Sequence, residues 1–158
     1  MNLYLVRHAH AGDRGRWTGP DHERPLSARG RDQANAITEA FARTTIGRVL
    51  TSPAVRCQQT VAAMASAAGV ALEITEVLGE GAPLEPARAL IDELARAGAE
   101  TVLCGHGDLL PELLGSLERD GTDVRGSGCA KGSVWTIAVD NGAFVRATYE
   151  RHPGDPDA

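Results

Sequence analysis

Leu3-Tyr4-Leu5-Val6-Arg7-His8-Ala9 is the stretch on which the fold turns. Four consecutive apolar residues, too few for a helix and not alternating with polar ones, predict a strand buried on both faces. Strands of that kind belong to sheets covered by helices. The run then gives way to an arginine and a histidine. In open α/β sheets, ligands bind beyond the carboxyl ends of the strands, so Arg7 and His8 are placed where chemistry is expected.

Working outward, residues 11–25 form a polar loop rich in Gly, Asp and Arg. Loops this long in a compact domain are usually functional. Ser27 is a candidate helix cap, followed by Ala34, Ile37 and Phe41 at helical spacing. Arg48-Val49-Leu50-Thr51 predicts a second strand, and Ser52-Pro53 the start of a helix whose apolar stripe is Cys57, Val61, Met64, Ala65 and Ala68, ending at Gly69. Residues 71–78 predict a third strand, and Pro86 opens a further helix with Ala87, Leu90, Ile91, Leu94 and Ala95 inward. Thr101-Val102-Leu103-Cys104 is a fourth buried strand, stopping at Gly105-His106-Gly107, after which Leu110, Leu113, Leu114 and Leu117 mark another helix. Residues 133–139 and 143–149 flank Asp140-Asn141-Gly142, a hairpin signal. Strands alternating with helices imply a three-layer α/β fold, a mainly parallel central sheet between helices, with the C-terminal antiparallel hairpin at an edge.

The chain of 158 residues suits one domain, expected over 1–152, with residues 153–158 as a disordered tail. Its 42% hydrophobic and 23% charged residues are typical of a soluble globular protein, and a net charge of −5 gives no reason to expect a nucleic acid or an anionic membrane as partner. No apolar run approaches the ~18 residues of a membrane span, and no signal peptide is recognisable, so a cytoplasmic location is expected. Cys57, Cys104 and Cys129 are scattered, without a CxxC pair, and read as small buried residues of a reducing compartment. Of the sixteen basic residues only Lys131 is a lysine.

Arg7 and His8 end the first strand, Ser52 and Arg56 follow the second, Glu80 the third, and His106 the fourth. If these ends converge, two arginines and two histidines face one another, and an anion is needed to offset their mutual repulsion. Phosphate fits, because the arginine fork matches its oxygens. A neutral His8 could attack phosphorus, with Arg7, Arg56 and His106 on the equatorial oxygens. No HExxH, carboxylate cluster or CxxC suggests a metal, and neither a GxxxxGK[ST] loop nor a GxSxG elbow is present. No cofactor is therefore expected.

Four segments, in order, carry a family resemblance. Val6-Arg7-His8-Ala9 resembles the RHG/RHA signature of the histidine phosphatase superfamily, the phosphoglycerate-mutase-like fold. Pro25-Leu26-Ser27-Ala28-Arg29-Gly30 with Gln33-Ala34 resembles its L-(x)n-G-x-x-Q-A segment, Ser52-Pro53-Ala54-Val55-Arg56 with Gln59-Thr60 its SPxxRxxQT motif, and Gly105-His106-Gly107 the surroundings of its second histidine. The resemblance covers roughly the first 110 residues. It implies His8 as nucleophile through a phospho-histidine, Arg7, Arg56 and His106 as the phosphate pocket, and Glu80, in Leu78-Gly79-Glu80, as proton donor, with Glu76 and Asp13 as substitutes.

The short chain, without a large helical insert, is similar to SixA-type phosphohistidine phosphatases, which would make a phosphohistidine protein the substrate. Residues 12–26 with Lys131-Gly132-Ser133-Val134-Trp135 also resemble the phosphatase domain fused to some Nudix hydrolases, which would favour a small phosphate ester or nucleotide held by the loop residues Asp13, Arg14, Arg16, Trp17 and Arg24. A non-catalytic phosphate-binding module is the third alternative. Trp17 is either exposed or a lid, His10 either lines the mouth or is a plain polar neighbour, and His22 and His152 are expected at the surface.

Overall fold

In the computed structural model, which describes residues 1–153, the stretch 3–6 lies within strand β1 (Asn2–Arg7). The other strands are β2 (Arg48–Thr51), β3 (Leu72–Ile74), β4 (Thr101–Gly105), β5 (Asp123–Arg125), β6 (Val134–Asp140) and β7 (Ala143–Glu150). Four helices accompany them: α1 (Ala28–Ala40), α2 (Val55–Ala68), α3 (Leu84–Ala97) and α4 (Leu109–Arg119). All strands join one sheet in the order β3-β2-β4-β1-β6-β7-β5. β6 alone runs against the rest, antiparallel to β1 on one side and β7 on the other.

Burial on both faces of β1 follows from its neighbours. Leu3 and Leu5 join Leu103 of β4, Ile91 and Leu94 of α3, and Leu113 and Leu117 of α4 in one core. Tyr4 and Val6 point the other way, into a second core with Val102 and Cys104 of β4, Ile37 of α1, and Cys57, Val61 and Met64 of α2. Each of these strand side chains is removed from water, worth roughly 1.5–3 kcal/mol for a large aliphatic residue. That is why the strand reads as a continuous apolar run and not as an alternation. Cys57 and Cys104 are buried free thiols, and Cys129 is half-buried.

β1 pairs in register with β4, Arg7 opposite Gly105, and β4 with β2, Cys104 opposite Thr51. Three strand ends remote in sequence thus finish side by side, which places Arg7, His8, Ser52 and His106 along one edge of the sheet.

Several elements depart from expectation for local reasons. The third strand is only three residues long: the Thr75 hydroxyl accepts from the Val77 amide and opens a 3-10 turn over Glu76–Leu78. That turn sends Leu78 into the core while Ile74 stays exposed. Helix α2 begins at Val55, not at Pro53, because the Ser52 hydroxyl accepts from the Ala54 amide and lies against His106. Helix α3 begins at Leu84, so Pro86 sits inside its first turn, where amides have no intrahelical partner to lose. The C-terminal hairpin forms as read, Asn141 and Gly142 both taking positive φ in its two-residue turn. It flanks β1, and the outermost strand is β5, which was not anticipated. Pro153 is a buried turn residue one position past the expected domain end; the rest of the anticipated tail, 154–158, lies outside the described residues. Among the described residues no helix is long and apolar enough to cross a membrane.

Candidate active site

His8 follows β1 directly and is almost wholly buried. Its amide donates to the Gly105 carbonyl at 3.0 Å. The next amide, Ala9, donates to the Thr60 hydroxyl, which itself donates to the Arg56 carbonyl in the first turn of α2. The ring is oriented by a 2.8 Å contact between Nδ1 and the Ala9 carbonyl. A carbonyl can only accept, so Nδ1 carries the proton and Nε2 keeps its lone pair. Burial lowers the ring's pKa to about 3; the Ala9 bond opposes this, while the fields of His106, Arg56 and Arg7 add to it. The imidazole is therefore neutral and nucleophilic at ordinary pH.

His106, after β4, packs edge-on against His8 with ring centroids 5.3 Å apart. Its Nε2 lies 2.8 Å from the Ser52 hydroxyl oxygen. That oxygen also accepts from Ala54, and when its own proton goes to Nε2 the ring proton of His106 sits on Nδ1. His106 Nδ1 is buried with no protein partner, and so are Arg7 Nε and Arg56 Nε. Buried donors are nearly always satisfied. Three orphaned donors on side chains gathered around one histidine suit an acceptor with several oxygens, a tetrahedral anion.

The arginines are held by what surrounds them. Arg7 donates to the Cys129 carbonyl at 2.6 Å, and its guanidinium lies across Gly107, where an added Cβ would stand 2.7 Å from Cζ. Only glycine leaves room for it there. Arg56, 1% exposed, donates from NH1 to the Asp21 carbonyl and from NH2 to Asp21 Oδ2 and Glu80 Oε2. Arg14 donates to Glu80 Oε1 at 2.7 Å, so an arginine holds each oxygen of Glu80.

Arg7, His8, Gly12, Arg14, Arg24, Glu80, His106, Gly107, Asp108 and Lys131 line a pocket of about 270 Å³. Beside it, a pocket of about 300 Å³ is lined by Asp21, His22, Ser52, Arg56, Glu76, Glu80 and His106, among others. Glu80 and His106 belong to both. The five residues expected at the centre therefore do come together. Of the loop residues, Arg14 and Arg24 line the first pocket. Asp13 instead caps a 3-10 turn by accepting from Gly15, and Arg16 is exposed beside it. Trp17 folds onto Gly19 and donates its indole N–H to the Pro20 carbonyl, outside both linings. His10 is tied to the Ser27 hydroxyl at the cap of α1.

Asp108 was not singled out from the sequence; Ser52 was read only as a residue following the second strand, and Asp21 and Lys131 only as parts of a resemblance. Asp21 is the hub of the loop: it pairs with Arg14, Arg24 and Arg56. Burial pushes its carboxyl up, but the Arg24 hydrogen bond and the charges of Arg56, Arg14 and Arg24 outweigh that and leave it below the usual carboxylate range. Asp108 accepts from the Gly81 amide at 2.7 Å and so pins the segment bearing Glu80. Nothing in local sequence marks either acid; Lys131 did carry a signal, as the one lysine among many arginines. Among the described residues, no group of three or more His, Cys, Asp or Glu side chains is arranged to hold a metal ion.

Comparison with known proteins bears on the family and the fold. The family model for the histidine phosphatase superfamily (branch 1) matches residues 3–83. An 8-oxo-(d)GTP phosphatase of Mycolicibacterium smegmatis is 33% identical over 97% of the chain, which spans about half (49%) of that relative's length. The protein histidine phosphatase SixA complexed with tungstate has the same fold, with a TM-score of 0.76 at 21% identity over 97% of both chains. A putative phosphohistidine phosphatase SixA from Agrobacterium tumefaciens follows at TM-score 0.68, 25% identity, covering 89% of this chain and 92% of its own.

Proposed function

Because the chain belongs to the histidine phosphatase superfamily, we propose that it is a phosphohydrolase in which His8 carries the phosphoryl group on Nε2. The observation that supports this most is the set of three orphaned buried donors around a histidine whose Nδ1–H is fixed and whose Nε2 is free. In the first step Nε2 attacks phosphorus and the bond to the leaving group breaks, its electron pair departing with that group. Arg7, Arg56 and the Nδ1–H of His106 hold the equatorial oxygens as charge redistributes over them. Water then attacks the phosphorus of phospho-His8, the P–N bond breaks, and its electron pair returns to the ring. In this reading Glu80 gives the leaving group a proton and later takes one from water. It can do so once phosphate draws Arg56 away from it.

Two substrate classes suit this site. A phosphohistidine protein offers an imidazole leaving group that needs little help from an acid, in keeping with a Glu80 whose oxygens are both engaged. A nucleotide is favoured by the M. smegmatis relative. Intact His8 and His106 speak against a purely phosphate-binding role.

The deciding experiment supplies a phosphohistidine protein, nucleotides and sugar phosphates at equal concentration to the wild type and to His8→Ala. Turnover falling at least about a thousandfold in the variant is expected, together with acid-labile, base-stable 32P on the wild type alone. Wild-type rates in His8→Ala would overturn the mechanism.

A further inference from the structure

Three consecutive amides beyond β1 are each accepted by a different part of the fold. His8 donates to the Gly105 carbonyl of β4, Ala9 to the Thr60 hydroxyl of α2, and His10 to Oε1 of Gln33 on α1, the last at 2.8 Å. The third bond reaches the His8 ring. The Ala9–His10 peptide is trans, so its carbonyl and its N–H point to opposite sides. The carbonyl lies 2.8 Å from Nδ1 of His8, and the N–H faces Gln33. A single rigid peptide unit therefore separates the glutamine from the histidine.

The spacing along α1 explains how Gln33 gets there. Ser27, at the cap, donates its amide and its hydroxyl to the His10 carbonyl. Gly30, one turn on, has no Cβ, and one built there would stand 1.9 Å from that same oxygen. The helix thus comes to backbone contact with the segment after His8. Gln33 stands a further three residues along, on the same face. It is half-buried and lies against Gly132, whose amide donates to the Arg7 and His8 carbonyls at 3.1 Å. Both polar backbone groups of His10 are so held by α1. Gly30 and Gln33 are the G and Q of the G-x-x-Q-A segment, and phosphoryl transfer at His8 as described leaves Gln33 without a part.

We propose that Gln33 is a positioning residue for His8, acting across the Ala9–His10 peptide: its Oε1 fixes and polarises the carbonyl that keeps the proton on Nδ1. This rests on His8 carrying the phosphoryl group and names a residue that serves it without touching substrate. A hydrogen bond at the N–H end of a peptide draws charge onto its oxygen. As Nε2 takes up phosphorus while Nδ1 keeps its proton, the ring becomes cationic, and the pull of that oxygen on the proton grows. The help from Gln33 is therefore greater in the transition state than in the free enzyme, and it falls on kcat more than on KM. Thr60 holds the preceding peptide, whose carbonyl accepts from Gly132 instead.

The test compares Gln33→Met, which removes the acceptor at nearly constant volume, with Gln33→Glu, which keeps an oxygen there. Thermal melts show that both fold. With p-nitrophenyl phosphate, kcat of Gln33→Met should fall about tenfold to a hundredfold, with KM little changed, and Gln33→Glu should restore most of it. The second readout needs no turnover. In 15N spectra of the histidine rings, His8 of the wild type should carry its proton on Nδ1. Gln33→Met should show a share of it on Nε2, and Gln33→Glu the wild-type pattern. Gln59→Met makes the same change to a glutamine of α2, whose Oε1 accepts from the Leu26 amide at 2.8 Å, and should leave the His8 resonances in place. Unaltered kcat and resonances in Gln33→Met, with 32P still forming on His8, would overturn the role of Gln33 alone. So would an equal loss in Gln33→Glu, or the same displacement of His8 in Gln59→Met, which would make the effect a general loosening. Turnover by His8→Ala at the wild-type rate would overturn the phospho-histidine itself and this role with it.

Discussion

At the scale of single residues, two bonds decide the chemistry, and both fix the position of a proton. The Ala9 carbonyl keeps a proton on Nδ1 of His8, and a Ser52 hydroxyl donating to Nε2 of His106 would place one on its Nδ1. The first has a consequence for stability. His8 titrates near 3 when folded against 6.5 when unfolded, so between those values the unfolded chain binds the extra proton. Its contribution is present above pH 6.5 and is lost as pH falls toward 3. Between pH 6.5 and 4.5 this amounts to about 2 kcal/mol. Denaturation of His8→Ala over that interval should show correspondingly less acid sensitivity than the wild type, and identical curves would refute the assignment. For Ser52→Ala, kcat should fall at least about tenfold and the nitrogen resonances of His106 should report a changed tautomer, with Ser52→Thr restoring both. Unaltered resonances would remove Ser52 from this role. The variant also loses the acceptor of the Ala54 amide, at a cost of about 1 kcal/mol.

At the scale of elements, the segment that follows His8 is clamped between helix starts. The Ser27 amide and hydroxyl both donate to the His10 carbonyl, and the same hydroxyl caps α1 by accepting from Gly30. A Cβ on Gly30 would lie 1.9 Å from that carbonyl oxygen. The clash is with backbone, so no rotamer relieves it, and α1 would have to lift away from the loop. Gly30→Ala should therefore cost about 3 kcal/mol in urea denaturation. A change within ±0.5 kcal/mol would show that the loop moves more freely than this packing implies. The glycine was legible in the sequence only as part of a motif. Its reason, a helix turn resting on a carbonyl two residues beyond His8, is tertiary.

For the whole molecule, the balance of charge is the telling quantity. The chain carries −5 overall, yet its first pocket is lined by more cations than carboxylates. Concentrating positive charge in one crevice of an acidic protein stores repulsion that a bound oxyanion removes. Phosphate at a hundredfold its Kd should raise stability by about 2.7 kcal/mol, equivalent to a Tm increase of about 5–10 °C for a chain of this size. Vanadate, which adopts the five-coordinate geometry of the transition state, should bind tighter and inhibit. Melts unaffected by either anion at millimolar concentration would contradict the pocket.

Apolar runs and helical stripes are local, and they determined the alternation of strands and helices from the sequence alone. The polar residues at strand ends followed from the same pattern, because a buried strand must break where it meets solvent or a site. Arg7, His8 and His106 stand at strand ends as that pattern implied, whereas Arg56 lies in the first turn of α2 and Glu80 beyond the 3-10 turn that follows β3. Pairing is not local. That β4 lies between β1 and β2, and so sets His106 beside both His8 and Ser52, depends on contacts between segments far apart in sequence, such as Leu3 with Thr101 and Arg48 with Thr101. The same holds for Asp21, an ordinary loop acid until three arginines converge on it, and for Lys131, whose turn reaches β1 through the backbone of Gly132. Each residue's chemistry was written in the sequence. Which charges would have to share one pocket, and therefore what could neutralise them, only the folded chain decided.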